Sequence, residues 1–228
     1  MENAKELILK TLKTKACLKQ DVFKKTKAVF LNFKDEAKEL LAELKLEMEK
    51  VDKNILVEFI EKSEYEFHIK FGGDVLVFFM HTNVFDFEKS HQIWNTSYVK
   101  NDELRSYCGM INVYNFLADS FKYNRLNDVG YLVARIFLNK DLHYFVEGKR
   151  QLGFLYNDFV NEVIDNKKIK NIIESSILYS MDFDLLTPGY DTMKMVSVND
   201  VNEVTSAMSI KTGKRLGFKF QADNDNIE

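Results

Sequence analysis

The first 52 residues contain neither Gly nor Pro, in a chain that has nine Gly and one Pro elsewhere. Ala, Leu, Lys and Glu dominate this stretch, so nothing in it interrupts a helical hydrogen-bond ladder. Phe30, Phe33, Ala37, Leu40, Leu44, Met48 and Val51 recur every three or four residues. That spacing predicts one apolar helix face, close to a heptad seam. A break near Lys19–Asp21, with Asp21 as N-cap, is expected to divide a short first helix from this longer one. Charge along the long helix opposes its dipole: Lys24, Lys25 and Lys27 come early, and Asp35, Glu36, Glu39, Glu43, Glu47 and Glu49 come late. Propensity does not account for that order, which points to packing or a partner. Residues 1–52 therefore read as an N-terminal helical segment, and 21–52 as a packing element or a homodimer contact.

From residue 54 the period changes from helix to strand. Tyr65, Phe67, Ile69 and Phe71 alternate with polar residues, the pattern of a half-buried strand. Gly72-Gly73-Asp74 makes a tight turn into the apolar run Val75–Met80, with 84–87 as a possible continuation. Residues 109–123 fit helix or strand, with strand the preferred reading for 110–117. A second hairpin, 130–138 with 142–149, turns through Asn139-Lys140-Asp141. Helical spacing returns after Leu152. Phe154, Leu155, Phe159, Val160 and Val163 form one predicted face, and Ile169, Ile172, Ile173 and Ile177 another. Asp165-Asn166 separates two helices or bends one, and Thr187-Pro188-Gly189 ends the region. Met193–Val198 and Arg215–Phe220 are predicted strands before a frayed acidic tail. The reading is an α+β fold: N-terminal helices, a central antiparallel β-meander, and C-terminal helices packed on one face. Its domain divisions are 1–52, an α+β core over 53–190, and a C-terminal extension over 191–228.

Composition narrows the function. Lys and Arg number 32 against 35 Asp and Glu, a net charge of −3, which lacks the basic excess of a nucleic-acid coat. Eight Lys lie within residues 1–27, but Glu2, Glu6 and Asp21 intersperse them as on a solvated helix face. No stretch approaches the ~20 apolar residues of a membrane span. The N-terminal residues lack a signal peptide's apolar block, and Cys17 and Cys108 cannot staple a fold, so a reduced, cytoplasmic setting is expected.

Phosphate-cradling and nucleophile motifs are absent, and His68, His81, His91 and His143 lack metal-ligand spacing; no cofactor and no metal are expected. Only five cations are Arg, and Arg105, Arg125, Arg135 and Arg150 gather around the central strands. Arg suits bidentate polar recognition, and aromatic, polar loops often form binding surfaces. Residues 81–108 are such a loop. The expected ligand-binding residues are therefore His91, Trp94, Arg105, Tyr107 and Arg135. The corresponding function is a non-catalytic module that binds a small ligand or a protein. A structural subunit joined through its N-terminal helix is an alternative.

One short pattern suggests chemistry. Glu147-Gly148-Lys149 at a strand end, with Asp128 upstream and a helix after it, resembles the ExK element of the PD-(D/E)xK nucleases. The resemblance implies two carboxylates holding a divalent metal, with Asp128, Glu147 and Lys149 as the catalytic set. A hairpin turning at 139–141 sets Glu147 opposite Val133 or Ala134. The plainer reading of Glu147 is a strand-end ion pair facing Arg135.

Overall fold

The structure is a computed structural model that describes residues 3–148, 151–183 and 189–199. Its N-terminal helix is continuous. Helix α1 (Ala4–Thr11) passes through a π-helical segment (Leu12–Ala16) into α2 (Cys17–Val51). The predicted break at Lys19–Asp21 is absent. Asp21 lies inside α2 and pairs with Lys25 at 2.8 Å. Nothing at 19–21 removes a helical hydrogen bond, so the helix runs on. The true N-cap is Asn3, which forms a reciprocal capping box with Glu6.

Six antiparallel strands follow in simple sequence order: β1 (Val57–Ser63), β2 (Glu66–Phe71), β3 (Asp74–Met80), β4 (Cys108–Leu117), β5 (Tyr131–Asn139) and β6 (Tyr144–Gly148). The meander predicted from the short polar turns is the one observed. Gly72 takes φ +55° in the two-residue β2–β3 loop, a conformation that favours Gly. Strand β1 has no counterpart in the sequence reading. Ile60 interrupts its alternation, and a register shift lies between Glu61 and Ser63. Strand β2 is buried on both faces rather than one, since His68 is buried along with Phe67 and Ile69. The predicted strand 84–87 is reduced to a single bridge, Phe85 to Cys108.

Helix α2 lies across one face of the sheet. Its buried residues include Val29, Phe30, Phe33, Ala37, Leu40 and Leu41, which join Phe67, Ile69, Leu76, Phe78, Ile111, Val113 and Ile136 in one core. Phe67 stacks on Phe78 at 4.7 Å, with Phe30 tilted against it at 5.4 Å. Full burial of each such ring stabilises by roughly 1.5–3 kcal/mol relative to exposure. The predicted stripe outruns the sheet: Leu44 is 39% exposed and Val51 80%. Lys34 is buried within the stripe and sends its ammonium out to Glu61 and the Ser63 carbonyl, both at 2.8 Å.

Helix α6 (Asn166–Met181) packs beside α2 on the same face, capped by Asp165 and burying Ile169, Ile172, Ile173 and Ile177 as the spacing predicts. The preceding predicted helix is only one turn, α5 (Gln151–Leu155). Phe159 and Val163 belong to a non-helical run along β6. There Tyr144 N–H donates to the Glu162 carbonyl (3.3 Å) and Val146 N–H to the Tyr156 carbonyl (2.9 Å). Those bonds cover the β6 edge. The predicted strand at Met193–Val198 is not formed; Tyr190–Met193 is a helical turn, α7, and no strand follows it among the described residues. Thr187, Pro188, Arg215–Phe220 and the acidic tail lie outside the described residues.

Helix α2 comes close to the sheet at Gly109. A Cβ there would meet Thr26 Oγ1 at 2.1 Å. Gly109→Ala is expected to destabilise the protein by about 1–3 kcal/mol through overpacking. Urea unfolding checks this, and Thr26→Ala in the same chain should recover part of the loss.

Candidate functional site

The second face of the sheet faces away from α2. Cross-strand register places Glu66, Phe79, Asn112, Arg135 and Glu147 in one row across β2 to β6. At the β6 end this face is covered by residues 81–107. That cover includes two short 3-10 turns, Gln92–Asn95 and Glu103–Ser106, and helix α3 (Ser97–Asn101) between them. Each begins on a polar side chain: His91, Thr96 and Asp102 accept backbone N–H bonds at the three starts. Beneath them Ile93, Val99, Cys108, Phe137, Phe145 and Phe159 form a second apolar cluster. Burial pushes the Cys108 thiol up, so it is a protonated packing group.

Arg135 stands at the margin of this cover. Its register partner on β6 is Glu147, and the two are ion-paired, as the plainer reading of Glu147 holds. The observed register is one to two residues from the expected Val133 or Ala134, because the turn extends through His143 before β6 begins. His91 Nε2 lies 3.6 Å from Glu147 Oε1, and the His91 ring sits 4.6 Å from Phe87. Arg135 keeps 44% of its side chain exposed, yet its Nε is buried with no hydrogen-bond partner. Asn112, opposite Arg135 on β4, is buried. Thus His91, Glu147 and Arg135 form one chain of polar contacts on an aromatic floor.

The other expected residues lie elsewhere. Arg105 belongs to a network at the β5–β6 turn. Its Nε donates to Asp141 at 3.1 Å, its terminal nitrogen donates to the Tyr98 carbonyl at 2.9 Å, and its guanidinium lies 4.2 Å over the Tyr98 ring. Tyr98 donates its hydroxyl to Asp141 at 2.9 Å and stacks on His143 at 4.4 Å. Burial pushes the Tyr98 phenol up to about 12. Lys140 pairs with Asp102, whose carboxyl is held low first by that contact. Trp94 donates Nε1–H to the Phe87 carbonyl at 3.1 Å and carries the Lys89 ammonium 3.2 Å over its ring. Tyr107 is buried, with Lys19 of α2 5.6 Å over its ring.

The centre of this network is Asn139, which is fully buried. Its Oδ1 accepts from the Asp141 and His143 N–H groups at 2.9 and 3.0 Å, and its Nδ2 donates to the Tyr98 hydroxyl at 3.0 Å. Sequence reading assigned Asn139 and Asp141 only to a turn. The signal for their larger part was the cluster of Asn, Lys and Asp opposite a loop rich in aromatic and acidic residues.

Asp128 and Glu147 are held by different partners. Asp128, in the loop between helix α4 (Ala118–Lys122) and β5, accepts from Ser120 Oγ at 2.6 Å and pairs with Arg125 at 2.8 Å. Lys149 and Arg150 lie outside the described residues. Among the described residues no cluster of three or more His, Cys, Asp or Glu has the geometry of a metal site. On the same face nearer β2, His68 Nε2 meets Glu66 at 2.6 Å, and burial holds its pKa below the ordinary value despite that carboxylate. A separate groove of about 460 Å³ lies between α2 and the β1 edge, lined by Lys38, Leu41, Ala42, Lys45 and residues 57–60. Comparisons with protein-family models, curated proteins and solved structures give no significant match.

Asn139→Ala removes both acceptor and donor at a buried point. The expected cost is about 2–3 kcal/mol, since two N–H groups lose their partner. Thermal unfolding checks this, and near-ultraviolet circular dichroism should report the Tyr98 ring leaving its stack on His143.

Proposed function

We propose that the chain is a non-catalytic, cytoplasmic binding module whose ligand is a small anion, taken at the margin between the open sheet face and the 81–107 cover. The single supporting observation is Arg135. Its side chain is 44% exposed on a sheet strand, while its buried Nε has no protein partner. Arg presents a planar fork that matches carboxylate or phosphate oxygens. Glu147 and His91 line up beside that fork, the Phe137 ring lies 5.6 Å from the guanidinium, and Asn112 is its register partner on β4. Sites on strands are more precise than sites on loops, because the backbone beneath them is fixed. Of the five expected binding residues, His91 and Arg135 carry this reading. Arg105, Trp94 and Tyr107 support the cover and the helix contact.

The test is a thermal-shift panel of inorganic phosphate, dicarboxylates and nucleoside phosphates on the full chain. At least one anion class is expected to raise the melting temperature. Arg135→Gln should abolish that rise without lowering the ligand-free melting temperature by more than a few degrees. A panel with no stabiliser, or an equal rise in Arg135→Gln, contradicts the reading.

A further inference from the structure

The N-terminal helix extends past the body of the protein at both ends. From Asn3 to Asp21 every residue is exposed except the half-buried Leu18. This is an arm of ~27 Å at 1.5 Å per residue. Leu7, Ile8, Leu9 and Leu12 are 44–59% exposed along it. At the other end, residues 42–51 are exposed apart from the half-buried Met48, with Leu46 63% and Val51 80% exposed. A lone helical segment of that length is marginal in water and is ordinarily held by packing of an apolar face. Among the described residues no body element makes a substantial contact with α1, and its apolar side chains are exposed.

Charge identifies what covers them. Residues 1–20 carry five Lys against two Glu, whereas residues 35–49 carry six acids against two Lys. Both ends have the wrong sign for their own helix dipole. An antiparallel neighbour of the same sequence reverses that penalty at each end: it sets acids beside the basic arm, lysines beside the acidic half, and the two dipoles head to tail. A parallel neighbour would set Lys against Lys and Glu against Glu. Between the two ends, the outward positions of α2 include Ala28 and Leu31, a small and an apolar residue where two helices would cross.

We propose that the chain forms a two-fold homodimer through antiparallel pairing of its N-terminal helices, with each basic arm laid along the acidic second half of α2 in the other copy. Contacts are isologous, so each is made twice. The apolar residues of the arm, Leu7, Ile8 and Leu12, then lie along the outward face of α2 in the second copy, where Leu46 is exposed. The contact reaches beyond residues 21–52 to include the whole arm. It leaves the second sheet face free, so its success or failure is independent of anion binding at Arg135.

Sedimentation of the full chain at micromolar concentration tests this by charge exchange. The parent chain is expected to be dimeric, with weaker association as salt rises and screening sets in. An arm-reversed variant (Lys5→Glu, Lys10→Glu, Lys13→Glu) and an acid-reversed variant (Glu39→Lys, Glu47→Lys, Glu49→Lys) should each dissociate at least about tenfold more readily. All six positions are exposed, so both variants should keep the parent's helical circular dichroism. Mixing the two should restore a heterodimer, because both of its contacts then join opposite charges. A parent that stays monomeric overturns the proposal, as does a mixture that fails to pair. Binding of a monomeric parent to phosphatidylserine vesicles or to DNA, abolished in the arm-reversed variant, would also overturn it and assign the arm to an anionic surface.

Discussion

The packing of one helix across one sheet face governs this structure. The middle of α2, from Val22 to Leu41, supplies Phe30, Phe33, Ala37 and Leu40 to a core in which Phe67 and Phe78 stack. Everything else is arranged around that contact. The meander brings β2, β3 and β4 beneath the helix, and α6 closes the same face beside it. Gly109 lets the helix approach at Thr26, and Lys34 crosses the apolar stripe only because its ammonium reaches Glu61. An antiparallel sheet needs one covered face, and the other is then available for polar work.

That division explains where the polar chemistry lies. On the helix face the described core is apolar, apart from buried groups such as Asn115, which donates to the Tyr131 hydroxyl at 2.9 Å. On the second face two separate networks are found. One is built around Asn139 and fixes the β5–β6 turn to the 81–107 cover. The other runs from His91 through Glu147 to Arg135, whose side chain is 44% exposed. The first is centred on the buried Asn139, whose amide is fully bonded, so it holds structure. The second leaves the buried Nε of Arg135 without a partner, and the proposed anion site rests there.

The sequence made the architecture readable where its signals are periodic and local. The α2 stripe as far as Leu40, the Gly72-Gly73 turn, the Val75–Met80 run and the helix boundary at Asp165-Asn166 all depend on neighbours within a few residues, and each appears as expected. The departures have long-range causes. Strand β1 escapes notice because its edge position and its register shift weaken the alternation. The run 156–165 has helical spacing but is drawn onto the β6 edge, where it satisfies strand N–H groups. The candidate site was legible only in part. The clustering of Arg pointed to the central strands, but only register could show that Arg135 meets Glu147 while Arg105 turns toward Asp141. Trp94 and Tyr107 drew notice for their size, and size is what the packing uses.

If the contact between α2 and the sheet is the one on which the rest depends, the middle of α2 and the central strands must open together. Native-state hydrogen exchange measures this most directly, by comparing amides of residues 29–41 with those of β3 and β4. The predicted result is one shared opening free energy, equal to that of global unfolding, with lower values for residues 4–20 in the monomeric chain. Exchange of residues 29–41 well ahead of β3 and β4 would contradict it, because the sheet would then persist without the helix.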